Sequence, residues 1–359
     1  MKNEQAAEFG YISGLDGLRL FAVGIVVVRH FEIVEVLPGG FGVSVFFFIS
    51  GFLISRLLLA EEKRRGQIGL RPFYVRRFIR LLPPLILMGV VAVPVLWLLY
   101  PEEFSGLQIV LSFLYLGNLV KFGGDLFGWP IGLPAFEPLW SLAVEEHFYL
   151  LVPAALLLLR TARSRINLMI VIIVAALILR LVVFQIWPIE TADEINYHFT
   201  LTRIDSMAWG VLLTLLLEAR RLSIEHRPAW QGHALVFGGG LFMIATMVHW
   251  STLYEVALKY TVQSFAIGVF LSGVLFAANY GWLRRCLETR PVVHLGRISY
   301  EIYLWHLPLL AIVVYFVDSR ILAVSVSLGL TVIVSDIAYR MTTRRLSQLR
   351  RRFGGHPVS

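Results

Sequence analysis

Apolar runs of about 18 residues or more, each long enough as a helix to cross the roughly 30 Å hydrocarbon core of a bilayer, recur along the whole chain. They fall near 17–36, 41–60, 81–100, 139–159, 166–187, 199–218, 232–250, 261–281, 298–317 and 321–340. Short segments dense in arginine separate many of them. Such a pattern leaves little room for any fold but a helical membrane bundle, because a lipid-exposed backbone must satisfy its hydrogen bonds within its own segment. Hydrophobic residues make up 57% of the 359 and charged ones 16%, which excludes an ordinary soluble domain. The expected fold is all-α: a polytopic membrane protein of about ten transmembrane helices with both termini cytoplasmic. Residues 1–340 form the membrane domain and 341–359 a short basic cytoplasmic tail.

Charge fixes the expected topology. The loop "EEKRRGQIGLRPFYVRRFIR", the segment "RTARSR" at 160–165, the loops at 219–231 and 282–297 and the tail are all basic, so all are read as cytoplasmic. Lys121, Lys259 and Arg320 then lie outside, and Arg19, Arg29, Arg56, Arg180 and Arg203 lie within spans. The 14-residue stretch "LQIVLSFLYLGNLV" is too short to cross alone and is expected to be re-entrant or to lie at the outer face. The net charge of +8 comes mainly from these topological clusters, so no nucleic-acid partner is expected. A single cysteine, Cys286, excludes an internal disulfide and a multi-cysteine metal site. The N-terminus lacks the basic and apolar regions of a cleaved signal peptide, and none is expected.

Ionisable residues inside the spans are the candidates for chemistry, since each is expensive in lipid unless it faces a bundle interior or an aqueous cavity. Arg19 and His30 are three helical turns apart on one face, about 16 Å along the axis. Arg19 lies toward the cytoplasm and His30 in the outer half. Taken singly, Arg19 reads as a snorkelling cation and His30 as an interhelical hydrogen bond. Glu145, Glu146 and His147 in "LWSLAVEEHFYLL" fall near the depth of His30, with Arg180, Arg203 and Asp205 as partners for the two carboxylates. The plainer alternative for Arg180 and Arg203 is an ion-pair network that only holds helices together. A carboxylate beside His30 would fix its tautomer for general-base work. On the inner side, Arg76, Arg77 and Arg80 of "FYVRRFIRLLPP" share an amphipathic segment and could fork around phosphates, although juxtamembrane arginines commonly do no more than set topology. Tyr300 and His306 in "GRISYEIYLWHLPLL" point to a polar cavity at that side. The spacing of Gly51 and Ser55 reads as close helix packing, and Ser50 shows no neighbouring base.

These segments together resemble the acyltransferase 3 family of integral membrane acyltransferases. The matching elements, in the family's order, are "LDGLRLFAVGIVVVRHF", "GVSVFFFISGFLIS", "YVRRFIRLLPP", "LWSLAVEEHFYLLVP", "TRIDSMAWG" and "GRISYEIYLWHLP", which together cover nearly the whole chain. The resemblance implies ten core helices and transfer of an acyl group, commonly acetyl, from cytoplasmic acyl-CoA to a hydroxyl of a glycan or small molecule. It implies His30 as the essential histidine, Arg19 as its acyl-donor partner, Arg76, Arg77 and Arg80 for the CoA phosphates, and Glu145 or Glu146 in support of the imidazole. Two departures stand out: His147 occupies a glutamine position and Leu20 a frequent glycine position. The esterase-like extracytoplasmic domain that some relatives attach at the C-terminus is not expected here.

The expected function is membrane-bound O-acyl transfer, of acetyl foremost, to a cell-envelope or exported glycan, with acyl-CoA (acetyl-CoA foremost) as co-substrate, no permanently bound cofactor and no metal. The donor cavity is expected to be lined by Arg19 and His306. Its location would be the inner membrane, and the partners are acyl-CoA, a glycan or lipid-linked glycan acceptor and the bilayer. Acylation of a lipid or antibiotic-like molecule is one alternative. A secondary transporter using the Arg/His/Glu stripe is another, although no pair of broken helices in corresponding halves supports it.

Overall fold

The computed structural model describes residues 12–34, 38–219 and 228–352. The N-terminal stretch 1–11, the loop residues 35–37, the basic loop at 220–227 and the end of the tail at 353–359 lie outside the described residues. Every regular element among those described is helical. The first half comprises α1 (Leu15–His30), α2 (Gly39–Arg65), α3 (Leu70–Leu99), α4 (Gly106–Phe113), α5 (Asn118–Phe127), α6 (Leu139–Leu158) and α7 (Ala162–Ile186). Next come α8 (Ile189–His198), α9 (Thr200–Glu218), α10 (229–245) and α11 (Tyr254–Phe276). The chain then runs through α12 (Gly281–Leu287), α13 (Arg290–Arg297), α14 (Ser299–Phe316), α15 (Arg320–Tyr339) and α16 (Ser347–Arg352).

Eight of these stretches, α2, α3, α6, α7, α9, α11, α14 and α15, are long and apolar enough to cross a membrane. Each coincides with an expected run. The two remaining runs give shorter helices: α1 has 16 residues, and α10 is interrupted by a π turn at Ala234–Gly238. The stretch at 107–120 divides into α4 and α5, of 8 and 10 residues, neither long enough to span.

The structure corrects the start of the third span. α3 begins at Leu70, well before the apolar run at 81, and continues through Pro83, Pro84 and Pro94. The amphipathic arginine segment is therefore the first half of the same helix as the apolar one. Its charges depress the local hydropathy, while the prolines do not break a helix packed within a bundle. At the other end of the preceding element, α2 closes on Gly66 in the left-handed region (φ 73°), whose N–H bonds the Glu62 carbonyl.

At the centre stands α9, with 78% of its apolar window buried, against 33% for α7 and 28% for α15, which lie at the periphery of the bundle. α9 crosses α2 at backbone contact. A Cβ at Gly51 would fall 2.0 Å from the Met207 carbonyl oxygen, and one at Gly210 would fall 2.1 Å from that of Phe48. Ser55 locks the same crossing by donating to Thr214 Oγ1 at 2.8 Å. The spacing of Gly51 and Ser55 is thus a packing device, as small residues are in membrane helices. α13 presses on the first turn of α1, where a Cβ at Gly296 would meet the Asp16 carbonyl.

Candidate active site

His30 ends α1, and its ring meets that of His306 from α14. The His30 Nδ1 and His306 Nε2 atoms are 2.8 Å apart, and the two rings are nearly parallel, at 6°. His306 is fully buried. Its other nitrogen, Nδ1, lies 2.7 Å from the carbonyl oxygen of Tyr303, one turn earlier in α14. A carbonyl oxygen only accepts, so His306 Nδ1 carries the proton. In the neutral ring Nε2 is then the acceptor, and His30 Nδ1 donates to it. That chain of two hydrogen bonds uses His30 Nδ1 and leaves the lone pair of His30 Nε2 outside it.

The polar column continues downward from there. Tyr303 Oη donates to the Pro138 carbonyl at 2.7 Å and lies 2.6 Å from Ser141 Oγ on α6. One turn along the same face of α6, about 6 Å on, Glu145 accepts hydrogen bonds from Ser50 of α2 and Tyr149 of α6. It also pairs with Arg77 Nη2 of α3 at 3.1 Å. The Arg77 guanidinium lies over the Tyr149 ring at 3.5 Å, and its Nε is 3.7 Å from Glu146. Tyr300 ties α14 to α3 by donating to the Leu81 carbonyl at 2.9 Å.

This arrangement differs from the expected one in three ways. The hydrogen-bond partner of His30 is His306, while Glu145 and Glu146 both turn to Arg77. The reason lies in α3: because the arginine segment is helical and enters the bundle, Arg77 reaches the carboxylates in place of the expected Arg180 and Arg203. Arg76 and Arg77 do not act as one fork, because adjacent helix positions point about 100° apart. Arg76 bonds Glu61 of α2 at 3.0 Å, and Arg80 is half-buried farther along α3. Ser50, which the sequence left beside no base, touches a carboxylate. Arg19 sits three turns below His30 on α1, 3.6 Å from Asp16, which Arg297 also approaches at 3.6 Å.

Arg180, Arg203 and Asp205 form a separate group around α7, α9 and α11. Arg180 and Asp205, both fully buried, pair at 2.8 Å, and Thr261 donates to the same carboxylate oxygen at 2.6 Å. Arg180 Nε also donates to the Ala257 carbonyl at 2.7 Å. This is the plainer ion-pair reading for Arg180. Arg203 is not part of the pair, and neither arginine reaches Glu145 or Glu146. His147 turns toward Thr200 Oγ1, at 2.7 Å. A cavity of about 580 Å³ opens elsewhere, between α9, α10 and α11 against α2, with walls of Phe48, Trp209, Leu216, Trp230 and Phe265. It contains none of these ionisable groups.

An acyltransferase-domain family model matches residues 12–340. The chain belongs to the acyltransferase 3 family. A peptidoglycan O-acetyltransferase of Listeria monocytogenes, OatA, is 28% identical over 92% of this chain and 55% of its own length. The O-acetyltransferase OatA of Staphylococcus aureus is 29% identical over 92% of the chain and 56% of its own. The chain thus spans about half the length of the curated relatives it matches. No solved structure matches. As a multi-pass acyltransferase 3 protein, the chain carries an acyltransferase domain whose six motif segments all contribute to the helices just described.

Among the groups at this candidate site, sequence reading missed the direct contact of His306 with His30, and with it Tyr303, Ser141 and Tyr149. The signal for the last two was periodicity. Ser141, Glu145 and Tyr149 recur at intervals of four on α6, which places them on one face.

Proposed function

We propose that this chain is an O-acetyltransferase that moves an acetyl group from acyl-CoA to a hydroxyl of a cell-envelope glycan. The observation that carries the reading is the His30–His306 contact. A histidine whose Nδ1 is committed to a donor role and whose Nε2 lone pair is free is in the tautomer a general base requires. Family membership supplies the reaction class, and the names of both relatives support acetyl as the group moved. The Listeria relative is named for peptidoglycan, a member of the proposed acceptor class.

In this mechanism the CoA phosphates meet Arg76 and Arg80 on the cytoplasmic side, with Arg19 toward the thioester. His30 Nε2 takes the proton of the acceptor hydroxyl as its oxygen attacks the thioester carbonyl. The new C–O ester bond forms and the C–S bond breaks. The CoA thiolate leaves with the bonding pair and receives the proton back from His30. His306 holds the imidazole in register, and Glu145 and Glu146 hold Arg77, a cation between the donor arginines and the histidine pair. Ten crossings with both termini cytoplasmic fit this route, with α1 and α10 as the two crossings beyond the eight longer helices. The inner membrane is the compartment where cytoplasmic acyl-CoA and an envelope acceptor are both in reach.

The test is acceptor-dependent release of CoA thiol from acetyl-CoA by the purified full chain in lipid nanodiscs, with cell-wall glycan fragments added. Release that requires the acceptor and falls about 10²- to 10⁴-fold in His30→Ala supports the reading. Acceptor-dependent release that is unchanged in His30→Ala removes His30 from the chemistry.

A further inference from the structure

Among the described residues Arg203 is a buried cation in no direct ion pair. It is fully buried near the start of α9, where a charge in a membrane interior is expensive unless paired. Among the described residues its one hydrogen bond runs from Nη2 to Ser44 Oγ of α2, at 3.2 Å, and Nε and Nη1 have no partner. Ser44 supplies only a neutral acceptor, since its own proton goes to the Gly40 carbonyl at 3.1 Å. Asp205 commits its Oδ2 to Arg180 and Thr261, while its Oδ1, two residues from Arg203 on α9, makes no hydrogen bond among the described residues, so two buried arginines share one buried acid.

The walls around Arg203 are aromatic. Its guanidinium lies 3.9 Å from the Tyr260 ring centre, with Tyr197 at 5.5 Å, Phe47 at 5.7 Å and Trp140 at 5.9 Å. Ring faces partly offset a cation's desolvation but accept none of its N–H bonds. A second orphan belongs to the ring stacked on it: the Tyr260 hydroxyl, buried and without a hydrogen-bond partner among the described residues. Two charged N–H donors and a hydroxyl able to donate are thus left unsatisfied in one stacked pair of side chains, where buried polar groups are ordinarily bonded. The carboxylates of Glu137 and Glu194 lie beyond Trp140 and are directed at His198.

The position relates this group to the histidine pair. On α2, Gly39 packs against the Arg29 side chain, next to His30. Ser44 lies five residues on, about 7.5 Å along the axis. Trp140, in the Arg203 wall, precedes Ser141, which bonds Tyr303 beneath His306.

We propose that Arg203 and the Tyr260 hydroxyl form a subsite for an oxyanion, a carboxylate or phosphate group carried by the acceptor close to the hydroxyl that reacts. That the anion belongs to the acceptor rests on the transferase reading; that the site binds an anion does not. An acid on the acceptor would supply the counterion Arg203 lacks and fix the register of the sugar against His30 by a charge-assisted bond. Neutral acceptors would leave the charge unpaired and be selected against.

The experiment is thermal unfolding of the detergent-purified full chain in a buffer whose only anion is a bulky sulfonate, without acetyl-CoA. Acetate or inorganic phosphate is added at constant ionic strength. The wild type is expected to gain about 2–5 °C, saturably, with one of the two probes. A response to acetate assigns a carboxylate-bearing acceptor, and one to phosphate a phosphate-bearing acceptor. Arg203→Gln should lose the response. Ser44→Asp, which keeps the arginine and adds an internal counterion at the Nη2 contact, should melt higher without probe and respond little. A wild type indifferent to both probes, together with a Ser44→Asp variant no more stable than wild type, overturns the proposal. So does an Arg203→Gln variant that responds as the wild type does. Because no transfer is measured, a failed CoA-release assay beside a positive melt would reject the transferase reading and leave the anion site standing.

Discussion

At the scale of residues, the site is two polar groups stacked along α6. The upper one is a tautomer device: the Tyr303 carbonyl sets His306, and His306 sets His30. His306→Ala should therefore lower kcat by about 10- to 100-fold with little change in KM for acetyl-CoA. His306→Gln, whose amide oxygen can accept from His30 Nδ1, should recover part of the loss. Steady-state kinetics of the two variants check this, and equal activity of both with the wild type would contradict it. The lower group is a charge pair around a largely buried arginine. Glu145→Ala leaves Arg77 with Glu146, at 3.7 Å, as its remaining acid and removes the charge-assisted bond at Nη2, so it should destabilise the chain by about 2 kcal/mol, less than a buried pair broken outright. Glu145→Gln, which keeps hydrogen-bond capacity, should lose less. Denaturation midpoints in a fixed detergent compare them. Little of this pairing was legible in the sequence. The residue types and their depths were, because helical periodicity and hydropathy are local. His30 and His306 are 276 positions apart, and Arg77 and Glu145 are 68 apart, so which ionisable group meets which depends on how the helices pack.

At the scale of elements, the spans of α2, α6, α7 and α9 could be read within a few residues, since an apolar run of membrane length admits one structure. α3 could not. Its arginine-rich first half looks like a loop on hydropathy, and only the structure shows one helix of 30 residues carrying Arg76, Arg77 and Arg80 into the bundle. The α2–α9 crossing sets where Ser44, Ser50 and Arg203 fall, and it rests on Gly51 and Gly210. Gly51→Val should place a methyl group into the Met207 carbonyl and cost about 3 kcal/mol or more, seen as loss of monodisperse protein on size-exclusion chromatography. Gly24→Ala is the contrasting case. Nothing lies within 4 Å of its added Cβ, so the helix preference of alanine should leave stability unchanged or raised by up to about 1 kcal/mol.

At the scale of the whole molecule, the account needs a bundle with a basic cytoplasmic face and a route from it to the histidine pair. In the proposed topology the segment around Cys286, the sole cysteine and an exposed one, lies on that face. A membrane-impermeant maleimide should therefore label inside-out vesicles and leave intact cells unlabelled; labelling of intact cells would reverse the topology. The route is a column in which donor arginines, the Arg77–Glu145 pair, Ser141, Tyr303, His306 and His30 follow one another across the helices α1, α3, α6 and α14. The measurement that tests its central claim most directly is transfer of radiolabel from acetyl-CoA into envelope glycan in sealed inside-out vesicles, comparing wild type with His30→Ala at matched protein levels. The account predicts labelled glycan from the wild type and a loss of about 10²-fold or more in the variant. Equal labelling by the two would contradict it.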